Sequence, residues 1–322
     1  DVLIAQMEKD VAAFLAEIPG MLPAFLVLVL EPAGMLGTVD LAGVLGGAMA
    51  TTTERVVPGV YDIPAELYHQ DPIPGGSLSS TGARTLVSQC PAKFRHSLDH
   101  AEPYKAAFDF GTAAHKVVLG DGPELVLVDA ARWDTNAIKA KIASIREAGN
   151  IPLKRPDLER VHDMATVLSQ NAEAADLLAP GSGTAEQSLF WKVGNVWCRA
   201  RIDWLRPDDF VDYKSCRSAH PDAIQKAVQD HGYHIQDYWY RRGAITLGLI
   251  HPQAPSHFIF QEKEPPYLVT VARLDLWHPI AYQATERALF LYETCRAADQ
   301  WPAYTTETAY ISPPAWLERQ FA

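Results

Sequence analysis

The chain predicts an α/β fold, a central mixed β-sheet flanked by helices, and three observations carry that prediction. Strand-like runs follow one another at 187–193, 196–205 and 210–214. Helix-like segments stand before and after them. A further strand pair separates the last two helical stretches. Helices, then a β meander, then helix, strands and helix is the order of a layered α/β domain.

Ser79, Ser80 and Thr81 can cap a short helix through Val87, because a hydroxyl at the N-cap satisfies a free amide of the first turn. Pro91 suits the first turn of a second helix, through Leu98. Residues 108–119 read as a helix ended by Gly120. A short strand is expected at 124–128, and helices at 135–147 and 156–178. Gly194-Asn195 makes a tight turn between the first two strands of the meander. Helices at 221–229 and 233–247 follow, then strands at 256–262 and 267–274 around Pro265-Pro266. A long helix closes the domain over 279–298.

With 322 residues, 48% apolar and 21% charged, the chain has ample material for a buried core. Cys90, Cys198, Cys216 and Cys295 lie far apart and form no CxxC pair, so free thiols in a reducing cytoplasm are expected rather than a zinc or iron–sulfur site. No phosphate-cradling GxxxxGK[ST] or GxGxxG loop occurs, so no ATP or dinucleotide is expected. A net charge of −11 argues against a nucleic-acid partner. An acidic protein can still hold nucleic acid in a groove of local positive charge, and a metal site there needs carboxylates.

Residues 1–48 contribute six acidic residues against Lys9 and no arginine. The apolar run 21–30 is too short to span a bilayer, and Pro23 interrupts it. The start at Asp1 lacks the basic residues of a signal peptide. Met49-Ala50-Thr51-Thr52 reads as an ordinary protein start. Residues 1–50 are therefore expected as a loosely ordered extension or upstream-translated leader, and 51–322 as the functional domain, cytoplasmic and without a membrane partner.

Strand side chains alternate between two faces. Along 196–204 this puts Val196, Cys198, Ala200, Ile202 and Trp204 on an apolar face, and Trp197, Arg199, Arg201 and Asp203 on the other. In the next strand Asp212 and Lys214 share a face. If the two strands pair through the short connection 206–209, Asp203, Asp212 and Lys214 converge. Two carboxylates can hold divalent cations, and carboxylate-rich sites suit Mg²⁺ or Mn²⁺. A lysine beside them can orient or deprotonate a water, or stabilise charge on a transferring phosphate. Asp-x-Lys alone also fits a solvated strand face with a salt bridge.

The surrounding motifs add to this reading. Asp203 with Asp212-Tyr213-Lys214 resembles the D…(D/E)-x-K core of the PD-(D/E)XK nuclease superfamily, and more closely its RecE-type exodeoxyribonuclease (exonuclease VIII-like) branch. Gln236 and Tyr240 match that branch's Q-x-x-x-Y motif, and Gly111 with His115 its G-x-x-x-H helix. Segments 186–191, 77–80 and 91–94 match further, and the likeness covers about 57–291. Ile202 replaces the superfamily's proline, and the second acid is Asp rather than Glu.

This resemblance implies a PD-(D/E)XK nuclease-like core. It implies that His115, Asp203, Asp212 and the Tyr213 carbonyl bind metal and that Lys214 is catalytic. Glu186, Gln236 and Tyr240 would contact DNA or support the site, the role of Glu186 staying open. Arg201 leans toward phosphate contact. His115 read by itself is an ordinary buried helical histidine, and Tyr233, Trp239 and Tyr240 read more readily as core than as DNA-stacking rings. His231, His234 and His251 fit no metal spacing. The implied activity is Mg²⁺-dependent (Mn²⁺ allowed) exonuclease digestion of linear double-stranded DNA, 5′-to-3′, in phage or prophage recombination. Implied partners are DNA ends, a homo-oligomeric ring, a tetramer for preference, and a single-strand annealing recombinase. The alternatives are a structure-specific or helicase-linked endonuclease, or an inactive DNA-binding protein.

Overall fold

Branched and aromatic residues alternating with small and polar ones over 184–216 build the middle of a mixed sheet that has seven strands among the described residues. The computed structural model describes residues 56–100, 106–130 and 132–314, together with 317 and 319. The expectation for residues 1–50 lies outside them. In chain order the elements are β1 (Gly59–Tyr61), α1 (Ala65–His69), β2 (Leu78–Ser79), α2 (Ser80–Ser88), α3 (Pro91–Asp99), α4 (Ala106–Leu119), β3 (Leu125–Leu127), α5 (Asn136–Glu147), β4 (Ile151–Leu153), α6 (Arg155–Gln170), α7 (Ala172–Leu177), β5 (Thr184–Val193), β6 (Val196–Leu205), β7 (Phe210–Cys216), α8 (Pro221–His231), α9 (Tyr233–Thr246), β8 (Ser256–Glu262), β9 (Val269–Ala272) and α10 (His278–Ala298).

The large sheet runs β1-β5-β6-β7-β8-β9, with β2 added to β6. β2–β6 and β7–β8 pair in parallel, and the other neighbours are antiparallel. The predicted mixed sheet is therefore present. β3 and β4 form a separate parallel pair.

Local chemistry sets most boundaries. The Ser79 hydroxyl accepts the Gly82 N–H at 3.2 Å and caps α2. Pro91 stands in the first turn of α3. The helix expected over 156–178 divides at Asn171, whose backbone is extended (φ −80°, ψ 110°). Its side chain accepts the Ala174 N–H at 3.0 Å, so a local hydrogen bond competes with helix continuation and caps α7. The strand expected over 267–274 forms only as Val269–Ala272.

Four core clusters form on the sheet among the described residues, and two of them are the largest. One gathers Trp191, Cys198, Ala200 and Ile202 against α9 and α10, and the other gathers Val211, Tyr213 and Ile259 against α4 and α6. Alternation along β6 holds through Ile202 and then fails. Trp204, expected beside Ile202, belongs to the second core. β5 changes face at the matching place, Ala185 packing with the second core and Leu189 with the first. Between these residues stand Glu186 and Asp203.

Helix α9 lies close on the sheet because Gly243 lacks a side chain. A Cβ there would stand 2.7 Å from the buried Trp191 ring. Gly243→Ala is expected to destabilise the protein by about 1–3 kcal/mol through overpacking, read as a lower melting temperature. An unchanged melting temperature would mean that the indole yields.

Candidate active site

The site forms where the sheet forks. β2 pairs with β6 at Cys198 and Arg199, and β7 pairs with it only at Trp204 and Leu205. Asp203 and Asp212 stand just past the last β6–β7 pair, where the strands part. The Tyr213 N–H, which would face a strand in a regular ladder, donates instead to Asp203 Oδ2 at 2.8 Å. From α4, His115 brings Nδ1 to 3.7 Å from the same oxygen, its ring edge-on to that of Tyr213 at 5.3 Å.

Glu186 faces Asp203 between the paired couples Ala185–Trp204 and Gln187–Ile202. Its φ of +52° is left-handed, which a non-glycine residue adopts at a cost of about 1–3 kcal/mol. Arg201 holds it there, donating from Nε to Glu186 Oε2 at 2.6 Å and to the Ile63 carbonyl and Ser188 hydroxyl at 2.8 and 2.7 Å. His115, Glu186 and Asp203 each offer one ligand atom within 4.8 Å of the others. One imidazole nitrogen and two carboxylate oxygens at that spacing fit a divalent cation.

Asp212 is held differently. Only 1% of its side chain is exposed, with Lys214 Nζ at 2.5 Å from Oδ2 and the Gln236 amide donating to Oδ1 at 2.5 Å. Its Oδ1 accepts from Gln236, whereas its buried Oδ2 is ion-paired with the Lys214 ammonium without an aligned hydrogen bond, and the residue lies outside the three-residue ligand group. The predicted convergence of Asp203, Asp212 and Lys214 is present, and the carboxylate that joins His115 and Asp203 in the ligand group is Glu186.

Burial governs the electrostatics. It pushes Asp203 up to about 6, Lys214 pulling it down and Glu186 adding to the rise. Burial likewise pushes Asp212 up to about 7 against the pull of Lys214. Burial would lower Lys214, but Asp212 and Asp203 outweigh it and hold the amine protonated. His115 is lowered by burial and by the charge of Lys214, which keeps the imidazole neutral and ligand-competent.

A cleft of about 680 Å³ exposes His115, Glu186, Asp203, Lys214, Gln236 and Tyr240 together. A neighbouring cleft of about 560 Å³ shares His115, Glu186 and Arg201 with it. Gln236 and Tyr240 lie one turn apart on α9 as expected, Gln236 supporting Asp212. The Tyr240 ring is buried 6.3 Å from Phe210. The expected phosphate contact by Arg201 competes with three acceptors inside the protein, so its geometry is that of a support for Glu186. His234 bonds to the Val228 carbonyl at 3.2 Å, as a structural histidine would.

Three features escape sequence reasoning. Arg199 is clamped by Asp71 at 2.5 Å and by Ser77, residues more than a hundred positions away. The left-handed turn at Glu186 has no composition signal. The Tyr233 ring lies 5.2 Å from Lys214 Nζ, a contact between separate elements that alternation cannot foresee.

Residues 79–314 match the family described as "PDDEXK-like domain of unknown function (DUF3799)". The fold is similar to a crystal structure described as "Putative exonuclease" from Eubacterium rectale, with a TM-score of 0.55 at 11% identity, covering 80% of this chain and 98% of that one. Likeness at that identity speaks for the fold. A search of curated proteins finds no match. No helix among the described residues is long and apolar enough to cross a membrane.

Proposed function

The chain belongs to the PDDEXK-like domain family, and on that premise we propose that it is a divalent-metal-dependent nuclease that digests linear double-stranded DNA from its ends. The observation that carries the proposal is the gathering of His115, Glu186, Asp203 and Lys214 on one cleft, with Asp212 paired to the lysine. His115, Glu186 and Asp203 would hold the ion, with the Tyr213 carbonyl beside them. The ion is Mg²⁺ or Mn²⁺, the imidazole donor tilting the set toward Mn²⁺. An ion held by these residues would supply Lewis-acid stabilisation of the charge on a phosphate.

The protein's own groups do the rest. Lys214, charged and aimed by Asp212, holds its N–H donors at the cleft, where they stabilise negative charge developing on a phosphate. Gln236 fixes Asp212, so the amine keeps its direction. Arg201 fixes Glu186 in its left-handed backbone. Resemblance to the RecE-type branch supports 5′-to-3′ polarity, a role in phage recombination, a ring-shaped homo-oligomer (a tetramer for preference) and an annealing partner.

Linear duplex labelled at either the 5′ or the 3′ end, beside a covalently closed circle, tests the reading. With Mg²⁺ or Mn²⁺, nucleotides are expected from the linear form only, with the 5′ label released first, and EDTA is expected to stop release. A cut circle would indicate an endonuclease. Absence of release under every metal would indicate a DNA-binding protein.

A further inference from the structure

We infer that Tyr233 is a positioning residue for Lys214, its ring face holding the ammonium opposite Asp212 so that the lysine's N–H donors keep one direction. The inference deepens the nuclease reading and rests on it. Lys214 Nζ stands 2.5 Å from Asp212 Oδ2 and over the Tyr233 ring, 5.2 Å from its centroid. A lysine is a point charge on a flexible four-carbon stem. One ion pair fixes its distance from a carboxylate but leaves its head free to pivot. A second contact on another side removes that freedom. An aromatic face attracts a cation within about 6 Å of its centroid, and more strongly where water is scarce. The Lys214 side chain is only 18% exposed.

The ring is itself held independently of the lysine. It packs 6.3 Å from Phe258 and 5.9 Å from Phe260 on β8. The chain enters α9 from Gly232, whose φ of +68° is left-handed. A Cβ on Gly232 would stand 2.6 Å from the Arg84 side chain, which donates to the His231 carbonyl at 2.5 Å. Backbone conformation and two phenylalanines thus set where the Tyr233 ring lies. Gln236 is three residues further along the same helix face and donates to Asp212 Oδ1. One face of α9 therefore grips both members of the pair, the acid through Gln236 and the amine through Tyr233.

The test replaces Tyr233 with Phe, with Leu, and with fluorinated phenylalanines that keep the ring's shape while draining its electron density. kcat and KM are read separately on end-labelled linear duplex with Mn²⁺. The ring-current shift of the Lys214 ε-methylene protons is read by NMR in metal-free protein, and circular dichroism checks the fold. Tyr233→Phe is expected to match wild type in both readouts. Tyr233→Leu is expected to lose the ring-current shift and about tenfold in kcat at unchanged KM. The fluorinated series is expected to lose kcat stepwise with ring electron density, an order that a packing role would not produce. Equal kcat across that series, or a Lys214 signal unmoved in Tyr233→Leu, overturns the inference. Wild-type protein that releases no nucleotide defeats the nuclease reading instead, and the NMR shift then still decides whether the ring holds the amine.

Discussion

Asp203→Asn is expected to lower metal-dependent DNA cleavage by about a thousandfold while leaving the fold intact. Asp203 is the junction of the site. Its Oδ2 accepts the Tyr213 N–H at 2.8 Å and faces His115 Nδ1 at 3.7 Å, and one carboxylate oxygen joins Glu186 and His115 in the ligand group. Asparagine keeps the size and one acceptor oxygen, so the Tyr213 bond can persist. What disappears is the anionic charge that a divalent ion requires. Burial already raises this carboxyl to about 6, so its ionised form is costly in the ion-free protein. The variant is therefore expected to melt no lower than wild type without metal, and to lose the rise in melting temperature that Mn²⁺ gives. Cleavage within tenfold of wild type would remove Asp203 from the site.

The reason Asp203 was legible, and Glu186 less so, lies in periodicity. The alternation Val196, Cys198, Ala200, Ile202 marks β6 as a half-buried strand and throws Asp203 onto the other face, and Asp212-x-Lys214 repeats the pattern on β7. Patterns of period two read one strand at a time. They cannot register that β5 and β6 both turn over at Glu186 and Asp203, because a left-handed residue inside a strand leaves no mark on hydropathy. The same limit explains Trp204, which the pattern puts beside Ile202 and the fold puts in the opposite core. β1, β2 and β4 have three residues or fewer, too few for a period to mark them, whereas the equally short β3 stands out as the unbroken apolar run Leu125-Val126-Leu127.

Charge was legible as composition and not as pairing. Arg199, Arg201 and Asp203 share one face of β6, and two arginines in a row of that kind suggest phosphate binding. Asp71 and Glu186 reach them from α1's following loop and from β5, so both guanidiniums serve internal carboxylates. Each Lys and Arg that lines the larger cleft has an acidic partner within the protein. This agrees with a net charge of −11 and shifts attention from the arginines to the ion as the counter-charge for a phosphate.

Raising the pH from 5.5 to 8 is expected to strengthen divalent-ion binding by about ten- to a hundredfold and, over the same range, to weaken the ion-free fold. Asp203 at about 6 and Asp212 at about 7 both lie above the ordinary carboxylate value. Between roughly pH 4 and 7 the folded chain therefore binds more protons at these positions than the unfolded chain does. Their stabilising contribution is complete at low pH and is lost as pH rises through 6 to 7. His115, lowered by burial and Lys214, runs the other way and offsets part of this. Ion binding needs the carboxylates ionised and the imidazole neutral, conditions that are met together only above this window. Melting curves with Mn²⁺ and with EDTA, at fixed ionic strength, separate the two effects. The gap between the curves is expected to be small at pH 5.5 and wide at pH 8, with the EDTA curve itself falling. A gap of equal width at both pH values would mean that the buried carboxylates are ionised throughout, and that burial does not set their charge.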